Sequence, residues 1–309
     1  MPFLTIRGKF RLLGKTKSGK PSGFEPDGDS MQFQPDKPAL LKKLKQLSSP
    51  FRLTSIGSTQ LRYEGIDALE LHFPAPGGNV HQPRPLADDA RNHLVTKSGL
   101  DPVTYAPPAH TRVQPPTIHD GARGHILSRS LEVHGRPVAF VFVGDPAAPD
   151  GTEVKLDVAL LRKSLNYEML RSGQSYPLFY DTLFADLRAE FAHVSLQAKQ
   201  ANLGLWGSDL SQVGVQATSI PQLESDAVIF PKLFRRLTEF FGSGNKQLSK
   251  FKGFLAATDE RVLDLDTTNN THFDTFVDVS NGQVKLNKTP DRLVFVSAKG
   301  KEPWVQTGK

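Results

Sequence analysis

The sequence contains no cysteine. That excludes disulfides, thiolate metal centres and cysteine nucleophiles, and is silent on compartment. No apolar run approaches the roughly 18 residues of a membrane span, so no membrane partner is expected. The opening residues, Met1-Pro-Phe-Leu-Thr-Ile-Arg-Gly-Lys-Phe-Arg11, place charge where a secretory signal needs its apolar stretch. The expectation is a soluble, cytoplasmic protein. Histidines never recur at H-x-x-x-H or H-E-x-x-H spacing, and His110, His119 and His125 are scattered through a proline-rich stretch, which argues against a zinc site. Asp264-Leu-Asp266 with Asp274 lacks the glycine and spaced acids of a calcium loop. Gly14-Lys-Thr-Lys-Ser-Gly-Lys20 has the spacing of a phosphate-binding loop. Pro21 stands where Ser or Thr should follow, and no helix pattern comes after it, so it reads as a basic turn.

What is present is a chain of 309 residues, long enough for two folded units, with a net charge of +6. The excess sits in the first third: residues 1–60 hold 11 Lys/Arg against 4 Asp/Glu, while residues 209–309 hold 13 against 12. Such an excess attracts phosphates, although a solvated surface accounts for it equally well.

Strand-like runs at Phe3–Ile6, Phe10–Leu13, Ser30–Phe33 and Leu61–Ile66 are punctuated by glycine and proline. Between the third and fourth, Ala39–Leu47 reads as a short basic helix carrying Lys42, Lys43 and Lys45. Residues 74–125 hold nine of the 23 prolines and suggest an extended loop around one helix, Leu86 to Leu100. A strand at Pro137–Val143 and two helices follow. The second helix places Tyr180, Phe184, Leu187, Phe191, Val194, Ala198, Ala201 and Leu205 on one apolar stripe, which is core packing. Residues 209–226 read as a linker. Beyond them come a helix with Phe230, Phe234, Leu237 and Phe241 on one face, and a hairpin turning at Asn281-Gly282.

The acids and arginines at strand ends are the candidate chemistry. Asp27-Gly-Asp29-Ser leads into one strand, Arg62-Tyr-Glu-Gly-Ile-Asp67-Ala-Leu-Glu70 lies along the next, and His134-Gly-Arg136 opens another. Phosphodiester hydrolysis needs such a set. A hard divalent cation takes carboxylate oxygens, as Asp29 and Asp67 offer. A carboxylate near the attacking water, Glu70, can take its proton. Guanidinium groups match phosphate oxygens in pairs. Taken on their chemistry alone, these residues read rather as a set of unrelated surface ion pairs.

The order D-G-D-S, R-x-x-x-I-D-A-x-E, G-R-x-x-A-F-V-F, L-N-Y-E-M-L-R-S-G and A-x-x-x-x-L-G-L-W resembles the staphylococcal nuclease family over residues 3 to about 207. The resemblance implies a β-barrel with helices, α+β: a five-stranded OB-fold nuclease domain over 1–208, with insertions at about 34–60 and 74–125. A linker, 209–226, and a small α+β module, 227–309, would follow. It implies calcium held by Asp29, Asp67 and the Ala68 backbone carbonyl, and catalysis by Arg62, Glu70 and Arg136. A terminal base would stack near Tyr176 or Tyr180, and Lys42, Lys43 and Lys45 are candidate substrate contacts. Leu69 and His134 depart from the family's proline and tyrosine. The implied activity is hydrolysis of DNA or RNA with little sequence preference. The competing expectation is a catalytically weak nucleic-acid-binding or scaffold protein acting through residues 227–309, where a homo-oligomer or a protein partner would dock.

Overall fold

A computed structural model describes residues 2–45, 50–117 and 119–297. Its packing divides the chain into two compact units, residues 1–64 with 91–169, and residues 65–90 with 170–309. This division cuts across the expected boundary at 208, because the last hundred residues share a core with segments on the earlier side of it. Helix Arg84–Lys97 belongs to the second unit up to Ala90 and to the first from Arg91.

The first unit is built on a nearly closed, barrel-like sheet. Strand Phe3–Arg11 is central, flanked by Gln32–Pro35 on one side and Arg123–Leu131 on the other, both antiparallel. Pro137–Val143 pairs antiparallel with Arg123–Leu131. Thr59–Gln60 pairs with Gln32–Pro35, and Arg62–Tyr63, one residue later, pairs parallel with Pro137–Val143. Residues 59–63 therefore form one run touching both edges of the sheet, which brings the sheet round on itself. Phe3, Ile6, Phe10, Phe33, Ile126, Phe140 and Phe142 are buried along these strands; in strand Phe3–Arg11 the first four residues are all buried, and alternation with more exposed residues runs only from Ile6 to Arg11.

The short basic helix exists as a six-residue 3-10 turn, Pro38–Lys43. Pro38 starts it, and Leu40 and Leu41 bury one side while Lys42 and Lys43 stay exposed. The chain is extended by Leu44, Lys45 pairs with Arg129 and Leu131 through its backbone, and the expected continuation at Gln46 and Leu47 lies outside the described residues. Gly14–Lys20 is a hairpin, Leu13–Lys15 with Pro21–Gly23, and no helix follows it.

In the second unit the aromatic stripe is shorter than its spacing suggests. The helix is Ala185–Gln200, burying Leu187, Phe191, Val194 and Ala198. Tyr180 lies on a two-residue strand before it, and Leu205 in a 3-10 turn after it. Helix Pro231–Gly242 begins on its proline and buries Leu233, Phe234, Leu237 and Phe240. These side chains join Leu69, Leu71, Tyr176, Leu178, Leu205, Trp206, Phe251, Phe273 and Phe295 in one core. Residues 209–226, expected as a linker, carry strand Val215–Gln216 and helix Ile220–Asp226, with Val215, Ala217 and Leu223 buried in that core. The hairpin Val277–Ser280 with Gln283–Leu286 turns on Asn281 and Gly282, both at positive φ, as the Asn-Gly pair indicates.

Candidate functional site

The charged residues expected to act together sort into two groups, one in each unit. The dividing point falls inside the run 62–70, between Glu64 and Gly65.

In the first unit, Asp27 and Ser30 close a tight turn, with Asp27 N donating to Ser30 O at 3.0 Å and Gly28 N donating to Asp27 Oδ1 at 2.8 Å. Asp29 is half-buried at its tip, and its backbone carbonyl accepts from Tyr63 N at 3.2 Å. That bond sets Asp29 beside Arg62. Arg62 faces Val138 in the parallel pairing, two residues beyond Arg136 on the neighbouring strand. Asp29, Arg62 and Arg136 thus occupy adjoining positions on one edge of the barrel. Arg136 is shaped by Glu132, a buried acid in the same turn. Oε1 of Glu132 accepts from the backbone N–H of His134 and of Arg136 at 3.0 Å each, and from Arg136 Nε at 3.3 Å. The turn requires Gly135: its φ is +84°, and a Cβ there would stand 2.2 Å from the Pro50 carbonyl oxygen.

Two buried groups at this edge were not anticipated. Asn166 is fully buried. Its Nδ2 donates to the carbonyls of Glu64 at 2.9 Å and Ala139 at 3.0 Å, and its Oδ1 accepts from Val141 N at 2.9 Å. One amide thereby ties the run carrying Arg62 to the strand following Arg136. The Tyr63 hydroxyl is buried without a hydrogen-bond partner among the described residues. Burial first, and then the charge of Asp29, push this phenol far above its ordinary pKa.

In the second unit, Asp67 ends the short strand Ile66–Asp67, which pairs antiparallel with Tyr176–Pro177. Asp67 is buried and Glu70 half-buried. Both carboxylates meet the guanidinium of Arg235 on helix Pro231–Gly242. Arg235 Nη1 donates to Asp67 Oδ1 at 3.0 Å, Nη2 to Asp67 Oδ2 at 2.9 Å, and Nη1 also to Glu70 Oε1 at 2.5 Å. The side chain of Asp67 is 4% exposed, that of Glu70 15% and that of Arg235 22%. Burial opposes the charge on Arg235, but the attraction and hydrogen bonds of Asp67 and Glu70 outweigh it and hold its pKa well above the ordinary arginine value.

The backbone around Glu70 is fixed by Gln82, also fully buried. Its N–H donates to the Glu70 carbonyl at 2.8 Å and its Oε1 accepts from Glu70 N at 3.2 Å. Its Nε2 donates to the carbonyls of Ala227 and Ile229 at 2.8 Å each. Gln82 therefore joins the Glu70 backbone to the segment that leads into the Arg235 helix. Gly65 permits the bend before Asp67, with φ +79° and a Cβ position 2.5 Å from the Phe191 ring.

Arg235 was not anticipated from the sequence. The available signal was the flank formed by Lys232, Arg235, Arg236 and Glu239, at i, i+3, i+4 and i+7 beside an apolar stripe. Cations so close to a buried face need acids, but the spacing cannot say which ones. Lys232 and Arg236 meet Glu260 at 2.5 and 3.2 Å, and Arg236 also meets Glu239 at 2.6 Å.

Of the two tyrosines expected near a terminal base, one is enclosed in the core and the other is partly open. Tyr176 is fully buried, its ring against Trp206 and Phe230 and its hydroxyl donating to Asp209 at 2.8 Å. It belongs to the core of the second unit, and its strand pairs with that of Asp67. Tyr180 is half-buried beside Phe295 and Lys232. Lys42, Lys43 and Lys45 are exposed, where they can meet a polyanion. Among the described residues, no three acids or histidines gather as a metal-holding group, and no helix is long and apolar enough to cross a membrane.

Comparison of the sequence with models of known families gave no match, and comparison with curated proteins gave none either.

Proposed function

We propose that the chain hydrolyses phosphodiester bonds of DNA or RNA, as a calcium-dependent nuclease of the staphylococcal nuclease type on an OB-type barrel. The observation that carries this reading is the convergence of Asp67 and Glu70 on a single cationic group. Two acids three residues apart, in a run picked out by its chemistry, form a seat for a cation. The barrel gives independent support. With residues 59–63 counted as one run, its five runs close in the order first, second, third, fifth, fourth, a non-sequential order suited to an OB-type barrel.

The donor set fits calcium in kind. The carboxylate oxygens of buried Asp67 and half-buried Glu70 suit a hard cation, and the two acids face one guanidinium, so negative charge remains. Asp67 and the Ala68 carbonyl would hold the ion, and when bound it would polarise the phosphoryl group. Glu70 orients the attacking water or takes its proton. Arg62 and Arg136 pair with phosphate oxygens and stabilise charge as it builds. With Asp29, a further ion donor by the resemblance, they enter the reading through their sequence positions and their shared barrel edge. Contacts of this kind address the backbone of a nucleic acid, so little sequence preference is expected. By the resemblance, the 5′-oxygen leaves and a 3′-phosphate remains.

One observation favours a second reading, in which the chain binds nucleic acid or a partner without cutting: Arg235 already engages the carboxylate oxygens that would act. Incubating plasmid, single-stranded DNA and RNA with the full chain separates the two. Cleavage that needs millimolar calcium and stops with chelator supports the nuclease. Binding without cleavage at any calcium concentration supports the second reading.

A further inference from the structure

Asp67 and Glu70 are engaged by a cation that belongs to the protein. Both Asp67 oxygens accept from the two Nη atoms of Arg235, and Nη1 also reaches Glu70. This side-on grip uses the same oxygens that a divalent ion would need. The grip is also braced. Helix Pro231–Gly242 is anchored by Leu233, Phe234, Leu237 and Phe240 on its buried face, by the ion pairs of Lys232 and Arg236 with Glu260 on its flank, and at its entry by the Gln82 amide on Ala227 and Ile229. Gln82 holds the Glu70 backbone at the same time. Arg235 is therefore delivered to the carboxylates by the fold and is not a wandering surface side chain.

We propose that Arg235 is a built-in competitor of the divalent cation at Asp67 and Glu70, so that metal reaches these carboxylates only as the guanidinium gives them up. The inference rests on reading the pair as the seat of the ion. A guanidinium keeps its proton throughout the range in which proteins are folded, so acid or base does not release it as it would a histidine or lysine. Release comes from competition: the apparent affinity for metal is reduced by the fraction of molecules in which Arg235 is out. The contact thus sets the calcium concentration at which the site fills.

The test measures ion binding directly on the full chain. Calcium is titrated by thermal shift, and terbium by luminescence sensitised through Tyr176, which faces Asp67 across the strand pair, and its neighbour Trp206. Arg235→Gln is expected to bind both ions about tenfold or more tightly than the wild type, with Arg235→Lys in between, and Asp67→Asn in the Arg235→Gln background is expected to abolish the gain. Equal calcium affinity in wild type and Arg235→Gln overturns the proposal, as does a gain that survives Asp67→Asn. Should Arg235→Gln be unfolded in chelator, calcium is expected to restore its fold, since the ion replaces the missing charge; failure to do so equally overturns it. Cleavage assays run alongside keep the two readings apart. Tighter binding without cleavage sinks the nuclease and leaves the competitor standing, while calcium-dependent cleavage with unchanged affinity does the reverse.

Discussion

Arg235, Asp67 and Glu70 form a nearly enclosed group in which two negative charges share one positive charge. Taking charges out of water is costly, and the pairing offsets that cost only while all partners are present. Arg235→Met is therefore expected to destabilise the fold by about 3–5 kcal/mol in chemical denaturation, because it strands two carboxylates. Adding Asp67→Asn and Glu70→Gln should recover most of the loss; a triple variant no better than the single one would contradict this assignment of the cost. Tyr63 offers the opposite case. Its hydroxyl is buried without a partner among the described residues, so Tyr63→Phe should leave stability unchanged or raise it by up to about 1 kcal/mol. A loss larger than that would mean that the hydroxyl is satisfied.

At the scale of elements, two buried amides do comparable work in the two units. Asn166 joins the Arg62 run to strand Pro137–Val143, and Gln82 joins the Glu70 backbone to the entry of the Arg235 helix. Gln82→Met fills the same volume but leaves one donor and two carbonyls with no side-chain partner. It should cost about 3 kcal/mol, at about 1 kcal/mol or more for each buried group left unmade. Neither burial was legible in the sequence, where Asn166 is one residue of the L-N-Y-E-M-L-R-S-G motif and Gln82 falls in the proline-rich stretch. The elements themselves were largely legible. The strand at Pro137–Val143, the helix beginning at Pro231 and the Asn281-Gly282 hairpin follow directly from β-branched runs, a helix-starting proline and a turn pair. Less legible were the stretches governed by tertiary packing. The 62–70 run reads as a single strand, but Gly65 bends it, and its two halves join different units. The aromatic stripe reads as reaching from Tyr180 to Leu205 because apolar residues continue on both sides of helix Ala185–Gln200, in a two-residue strand before it and a 3-10 turn after it.

For the whole molecule, the same reasoning explains why residues beyond 208 looked like a separate module. A sequence shows that Leu233, Phe234 and Leu237 need a core, but not that Tyr176 and Trp206 supply it. The partner of Asp67 was hidden for the same reason, since it lies 168 residues away. Acid stability gives a further test at this scale. His125 stacks on Phe142 at 4.9 Å and donates from Nδ1 to the Gly144 carbonyl, 2.8 Å away; since a carbonyl only accepts, Nδ1 carries the proton. Burial is the main cause that lowers its pKa below the ordinary value, outweighing that bond and Asp145. A histidine with a lowered folded pKa contributes fully above its unfolded pKa of about 6.5, and the contribution is lost as pH falls below it toward the folded value. Unfolding midpoints of the wild type should therefore drop on acidification through this window, and His125→Phe should flatten that part of the curve; parallel curves would remove His125 from the account. Glu260 adds to the acid limb at lower pH. Burial would raise its pKa, but Lys232 and Arg236 together hold it below the ordinary glutamate value, so its contribution is present above about 4.3 and lost as pH falls through the lower folded value. The central claim, that Asp67 and Glu70 serve a cation-assisted phosphodiester cleavage, is tested most directly by single-stranded DNA cleavage over a calcium titration, comparing wild type with a folded Glu70→Gln variant. Calcium-dependent cleavage by the wild type that falls at least about a hundredfold in Glu70→Gln, the scale of a lost general base, is the result expected. Undiminished cleavage by Glu70→Gln, or none by either protein at any calcium concentration, would contradict it.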